Sequence, residues 1–274
     1  LKDHGAQQPS PAAGGTTSLK GRFPFRLATT SYIIPAPIVP NVAFLAPLVD
    51  EVELVLFESG RDGNLPTPEE ITVLGEMADR HGLTYNVHLP TDVRLGHPDE
   101  VVRRRACGTI LRFLERTAPL KPTLYCLHLE KNGPGDMDRD EVSDWLWNLL
   151  RSLEELLGAG LDTARTAVEN LDYTFTWVYP LLRDLGLPVC LDVGHLLAQG
   201  EDVPQALDLY GPETVMVHLH GLEGGKDHRS LAGIPDGAWG AVSTFLRDFR
   251  GSASIEVFSW DDLEPSLRRL EGLL

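Results

Sequence analysis

Eight short apolar runs, rich in β-branched residues and each followed by helix-like sequence, recur along the chain at intervals of about 25 to 40 residues. They span residues 25–31, 51–57, 84–89, 123–129, 163–170, 188–195, 213–220 and 253–258. Parallel strands buried on both faces need near-continuous apolar sequence, and a helix after each supplies the crossover between parallel neighbours. Eight such units in about 250 residues predict one α/β domain, a (β/α)8 TIM barrel. A doubly wound sheet is the rival, but no Gly-rich fingerprint follows the first run. The barrel is assigned to residues 23–274. Residues 1–22, rich in Gly, Ala, Pro, Ser and Gln with no hydrophobic period, are expected to form a disordered tail.

The clearest helix start is Thr67-Pro-Glu-Glu70, a capping box with Pro at the first helical position, opening a helix that runs to His81-Gly82. Trp145, Leu146, Leu149, Leu153 and Leu156 recur at helical spacing and mark the core face of a helix over 139–157. Further helices are expected over 41–49, 99–117 and 262–274.

In a TIM barrel the carboxyl ends of all eight strands converge on one mouth, where the chemistry sits. The run 188–195 ends in Leu191-Asp-Val-Gly-His195, which brings Asp192 and His195 there. A lone strand-ending Asp is more often a helix cap than a ligand. Other runs end in the same way, however. His88, His128, Glu169, His218 and Glu256 stand at or near the ends of theirs, and Asp227 and His228 follow in the polar loop after the seventh. Five histidines and several carboxylates in one dry mouth would desolvate and repel one another unless cations sat among them.

Imidazole and carboxylate donors without thiolate suit zinc, manganese or iron. These nine candidate ligands exceed the needs of one ion, so two or three divalent ions are expected, zinc foremost, with Glu169 as a bridge. Such clusters clamp the attacking and leaving oxygens of a displacement at phosphorus, which makes phosphoester hydrolysis the expected chemistry. Glu169 and Glu256 would also position or deprotonate the attacking water. Lys226 and Arg229, beside the ligand loop, are candidates to contact phosphate, and Tyr32, Glu58 and Asp92 lie on loops at the same mouth within reach of substrate.

Charge and cysteine usage limit the partners and the compartment. Aspartate and glutamate outnumber lysine and arginine 40 to 24, a formal net charge of −16. That field repels a phosphate backbone, so neither nucleic acid nor an anionic membrane is expected as a partner. No apolar run approaches the roughly 18 residues of a spanning helix. Cys107, Cys126 and Cys190 show no pairing framework, the pattern of buried thiols in a reducing compartment, and a cytoplasmic location is expected.

The ordered ligand set resembles the xylose isomerase-like TIM barrel superfamily and, within it, the endonuclease IV group. The resemblance rests on His88, Leu95-Gly-His-Pro98, His128, Glu169-Asn170, Leu191-Asp-Val-Gly-His195, Val217-His-Leu219 and Glu256, and spans nearly the whole barrel. It implies a trinuclear zinc phosphodiesterase in which Glu169 bridges two ions. Asp192, His218 and Glu256 would complete the first site, His88 and His128 the second, and His195 with the loop after the seventh strand the third. That group carries an Asp-x-His pair in the loop; here Asp227 and His228 are adjacent, so His228 fits the pattern and Asp227 departs from it.

Thr29-Thr-Ser-Tyr-Ile-Ile-Pro35, Asn64-Leu-Pro66 and Tyr85-Asn-Val-His-Leu-Pro90 further resemble the cobamide-remodelling phosphodiesterases of the superfamily. This likeness implies a corrinoid substrate, cleaved in its nucleotide loop to a corrinoid phosphate and a lower-ligand nucleoside. Two alternatives remain open. One is a sugar isomerase or epimerase, with a single ion held by Glu169, Asp192, His218 and Glu256 while the two glutamates exchange protons. The other is a non-catalytic corrinoid- or metal-binding protein.

Overall fold

The computed structural model describes residues 18–57, 59–60, 64–131, 133 and 135–274. Strands β1 (Arg26–Thr30), β2 (Glu51–Val55), β3 (Thr84–His88), β4 (Tyr125–Leu127), β5 (Thr166–Glu169), β6 (Val189–Asp192) and β7 (Thr214–Leu219) are followed by a hairpin of β8 (Gly221–Glu223) and β9 (Lys226–Arg229), then β10 (Ser252–Ile255). The hairpin strands pair with each other, while the other eight close a barrel in the order β1-β10-β7-β6-β5-β4-β3-β2. Each barrel contact is parallel. The single (β/α)8 barrel expected from the sequence is the fold.

The helices are α1 (Ile38–Leu45), α2 (Pro68–His81), α3 (Glu100–Thr117), α4 (Arg139–Gly158), α5 (Tyr179–Leu185), α6 (Val193–Gln199), α7 (Val203–Tyr210), α8 (Asp236–Asp248) and α9 (Trp260–Glu271). Local chemistry sets their ends. Thr67 Oγ1 accepts from Glu70 N and Glu70 Oε2 accepts from Thr67 N, while Gly82 closes α2 in the left-handed conformation at φ 56°. In α4 Trp145, Leu149, Leu153 and Leu156 are buried, and Trp147 on the opposite side is 62% exposed. Helix α1 starts earlier than expected because Asn41 does not begin it. Its side chain accepts from Ile33 N and Ile34 N and donates to Ile34 O and Ala36 O, so it ties down the Pro-rich turn instead.

Two further differences bear on the site. Residues 163–165 form a single 3-10 turn with Asp162 accepting from Ala164 N, so β5 is only four residues long and ends on Glu169. The polar loop after β7 is the β8–β9 hairpin, turned by Gly224 and Gly225 at φ 58° and 77°, the left-handed pair that tight hairpins require. Within the stretch expected to be a tail, Leu19 is buried, Ser18 Oγ donates to Pro47 O and Gly21 N donates to Asp50 Oδ1. Residues 1–17 of that stretch lie outside the described residues.

The main apolar core lies between barrel and helices. A smaller cluster, Leu124, Cys126, Ala167, Cys190 and Met216, fills part of the barrel interior on the side of β4 to β7. Much of the remaining interior is polar. Glu51, Glu53, Asn86, His88, Glu169, Asp192, His218, Ser252, Ser254 and Glu256 are all 3% exposed or less. Barrels of this kind ordinarily fill their layers with branched aliphatics, so a polar interior needs an explanation for every lone pair in it.

Candidate metal centre

Glu169, at the end of β5, is the hub of the mouth. Its Oε2 lies 2.9 Å from His128 Nε2, 2.9 Å from Cys126 Sγ and 3.4 Å from His88 Nε2. Its Oε1 lies 3.4 Å from both His218 Nδ1 and His195 Nδ1. His218 Nδ1 is also 3.3 Å from Glu256 Oε2 and 3.9 Å from Asp192 Oδ2. Glu169, Asp192, His218 and Glu256 thus each present a ligand atom within 4.8 Å of the others, all buried.

Strand ends explain the convergence. Asp192 ends β6 and caps α6: Oδ1 accepts from His195 N at 2.6 Å, which leaves Oδ2 free to face His218. The Asp therefore caps the helix with one oxygen and offers the other to the site.

The tautomers of the imidazoles follow from their second nitrogens. His88 Nδ1 lies 3.0 Å from Leu89 O, His128 Nδ1 3.0 Å from Glu130 Oε1, and His195 Nδ1 3.0 Å from Asn170 O. In His88 and His195 that nitrogen carries the proton and leaves Nε2 as the lone pair, whereas His128 faces carboxylates with both nitrogens, its Nε2 lying 2.9 Å from Glu169 Oε2. His220 is reversed. Its Nδ1 accepts from His228 N at 3.0 Å, which puts its proton on Nε2, 3.1 Å from Asp192 Oδ1.

A second group of imidazoles, His195, His220 and His228, also has ring nitrogens within 4.8 Å of one another. His228 stacks on His220 at 4.2 Å between centroids, and its backbone sits at φ 52°, a strained choice for a non-glycine residue. The protonated Nε2 of His220 faces Asp192, so this arrangement braces a carboxylate and has one nitrogen too few for a three-imidazole ligand set. Gly194 lets the first turn of α6 lie directly on that ring, since a Cβ there would be 2.0 Å from His220 Cε1.

Charge in the mouth is balanced by the histidines. Burial would raise the Glu169 pKa, but His218 and His128 outweigh it and hold the carboxyl well below its usual range. Burial likewise opposes ionisation of Glu256, and His218 and His228 lower its pKa well below normal. On the basic side burial alone would lower His128, yet Glu169 and Glu130 push it up to about 10. His218 is raised well above its usual value by Glu53, Glu169 and Glu256 against the effect of burial. Protons on imidazole thus do the neutralising that a cation would otherwise do.

The donor set fits a divalent cation. Asp192 Oδ2, Glu256 Oε2 and both ring nitrogens of His218 are buried without an aligned hydrogen-bond partner. Orphaned acceptors that converge within ligand distance of one another have no other evident use in a barrel core.

The remaining sequence candidates fall elsewhere. Asp227, with a side chain 56% exposed, pairs with His228 Nδ1 at 3.3 Å and is in none of the ligand groups. Arg229 is held 3.3 Å from Asp262, Lys226 is exposed on the hairpin, and Asp92 is exposed, bracing its loop by accepting from Ser59 N and Oγ. Tyr32 accepts from Asn64 Nδ2 and its ring meets Phe57, which continues to His88 and Phe258 as an aromatic wall beside the ligands. Glu58 lies outside the described residues.

Sequence reasoning missed Glu53, Glu130, Cys126 and His220. Glu53 had a signal, since two acids alternate within an otherwise apolar strand, Glu51-Val-Glu53.

The sequence matches the family described as xylose isomerase-like TIM barrel over residues 49–273. No curated protein matches it. Among solved structures, a D-tagatose 3-epimerase-like protein superposes with a TM-score of 0.74 at 20% identity, covering 91% of this chain and 97% of that one. A D-psicose 3-epimerase from Clostridium cellulolyticum H10 gives 0.70 at 16%, covering 91% and 98%. A 3-keto-D-glucoside 4-epimerase from E. coli gives 0.68 at 15%, covering 91% and 98%.

These findings correct the expected function. These three similar structures are two sugar epimerases and an epimerase-like protein, none a phosphodiesterase, so cobamide phosphoester hydrolysis and the corrinoid substrate are set aside. Among the described residues no helix is long and apolar enough to cross a membrane.

Proposed function

We propose that this chain, which belongs to the xylose isomerase-like TIM barrel family, is a sugar epimerase or isomerase that uses one divalent cation. The observation carrying this reading is the buried quartet of Glu169, Asp192, His218 and Glu256, which offers four ligand atoms within 4.8 Å of one another and places three carboxylates, two of them glutamates, on a single small site. The substrate class is a ketose or keto-sugar, in keeping with the sugars named for the similar structures.

A cation in the quartet would withdraw electron density from a substrate carbonyl and make the neighbouring C–H acidic. Glu169 and Glu256 are held ionised and so are able to accept a proton. One takes the proton from one face of the carbon next to the carbonyl and later releases it to solvent; the other first takes up a proton from solvent and gives it to the opposite face, which inverts that centre. Glu256 lies 3.6 Å from the partly exposed His228 and is the carboxylate able to exchange its proton with solvent. His195 offers Nε2 to a substrate hydroxyl, and Tyr32, Phe57 and Phe258 give the apolar C–H face of a sugar a surface to lie on.

The test is direct. Protein loaded with Mn2+ or Co2+ is incubated with D-fructose and D-tagatose, and C3 epimers are resolved by chromatography. Conversion toward an epimer mixture, absent in Glu256→Gln, is expected. Unchanged sugars in the presence of a bound cation would reject both substrates, and the same outcome across a panel of keto-sugars would reject the function.

A further inference from the structure

Glu53 sits in the middle of β2, wholly buried inside the barrel, and belongs to none of the ligand groups. Its Oε2 accepts from Ser254 Oγ at 2.5 Å. Its Oε1 has no aligned hydrogen-bond partner, and neither has His218 Nε2, yet these two buried atoms lie 3.1 Å apart. Among the described residues each is the other's ion-pair partner. Across the ring, His218 Nδ1 faces Glu169, Asp192 and Glu256.

Glu51, two residues earlier on the same strand and equally buried, shows what a structural carboxylate looks like here. Thr84 Oγ1 at 3.0 Å, Thr123 Oγ1 at 2.5 Å, Asn86 Nδ2 at 2.9 Å, Ser252 Oγ and Arg26 Nε at 3.3 Å all donate to it. Glu53 instead keeps one oxygen for a single imidazole. A ligating imidazole must present a bare nitrogen to the ion and carry its proton on the other, and a buried carboxylate on that far side fixes the tautomer and raises the basicity of the ligand.

We infer that Glu53 is a positioning residue that holds His218 with its proton on Nε2 and its Nδ1 lone pair aimed at the cation. The inference rests on the four-residue cation site of the proposed function and not on the identity of the sugar. Burial of an acid with one free oxygen is costly unless something uses it, and His218 Nε2 lies 3.1 Å from that oxygen. The interaction works through His218 alone, so Glu53 need not touch substrate.

The experiment measures Mn2+ affinity by titration and the Co2+ d–d absorption of wild type, Glu53→Gln, Glu53→Asp and, as a control for damage to the barrel interior, Glu51→Gln. Glu53→Gln is expected to lose about 10- to 100-fold in affinity and to change the Co2+ bands, with partial recovery in Glu53→Asp. Glu51→Gln is expected to melt at a lower temperature with wild-type affinity and bands. Wild-type affinity and bands in Glu53→Gln would overturn the inference.

If that variant does not fold, the 15N shifts of His218 in the Zn2+-loaded wild type decide the matter. A proton on Nε2 supports the assignment and a proton on Nδ1 overturns it. Failure of the wild type to bind Mn2+, Co2+ or Zn2+ would also overturn it. Tight metal binding without sugar turnover would reject the epimerase and leave Glu53 in its role.

Discussion

The two ends of the barrel interior both bury carboxylates, and they satisfy them in opposite ways. At the amino end Glu51 receives four neutral donors and one guanidinium, and both of its own oxygens are satisfied. At the carboxyl end Glu169, Asp192, Glu256 and Glu53 share a set of imidazoles, and several oxygens and ring nitrogens stay without aligned partners. A buried charge that the protein satisfies by itself is architecture. One that it leaves partly open, with the openings converging, is a place for a ligand.

The sharpest way to break this contrast is Glu169→Gln. The variant should keep the fold, lose bound metal and fall about 10³-fold in sugar turnover, measured as kcat with metal content determined on the same sample. Retained turnover would mean that the hub carboxylate is only structural.

Stripping the metal should expose the difference as a pH dependence confined to the carboxyl end. In the metal-free protein His128 titrates at about 10 and His228 at about 9, both above the ordinary 6.5. A raised histidine stabilises the fold fully below pH 6.5 and loses that contribution as pH rises through 9 to 10. Glu169 and Glu256, with lowered values, contribute above about pH 4.5 and lose it as pH falls. The melting temperature of the metal-free protein should therefore fall from pH 6.5 to 10, and fall again below about pH 4.5. Bound metal should flatten the alkaline side.

Glu51→Gln tests the other end. An amide cannot accept all the hydroxyl and amide donors around it, and stability should drop by about 1–3 kcal/mol in urea titrations, with metal content per chain unchanged. The smallest effect belongs to the outer surface: Trp147→Lys, on the exposed side of α4, should stay within about 0.5 kcal/mol of wild type.

The contrast also explains which parts of the molecule could be read from sequence. Strand ends were legible because a polar residue closing an apolar run stands out, and Glu169, Asp192, His218 and Glu256 all do so. The capping box at Thr67 was legible because it is entirely local. Contacts across the barrel were not, since they depend on the stagger of the strands, which no single strand encodes. Glu53 meets His218 and Ser254 only through that stagger. The orientation of Asp227 and the reversed tautomer of His220 depend on the β8–β9 hairpin, which reads in sequence as a polar loop. The phosphodiesterase expectation came from counting nine candidate ligands along the chain, a count that does not say how they converge, and the likeness to sugar epimerases overturns it.

Proton exchange in D2O tests the central claim most directly. Metal-loaded protein is incubated with a ketohexose and the 1H signal of the carbon beside the carbonyl is followed by NMR. Loss of that signal as deuterium enters from solvent, together with appearance of the epimer, is expected, with neither change in Glu169→Gln or Glu256→Gln. A fully metal-loaded protein that exchanges no C–H proton in any ketose or keto-sugar would contradict the claim.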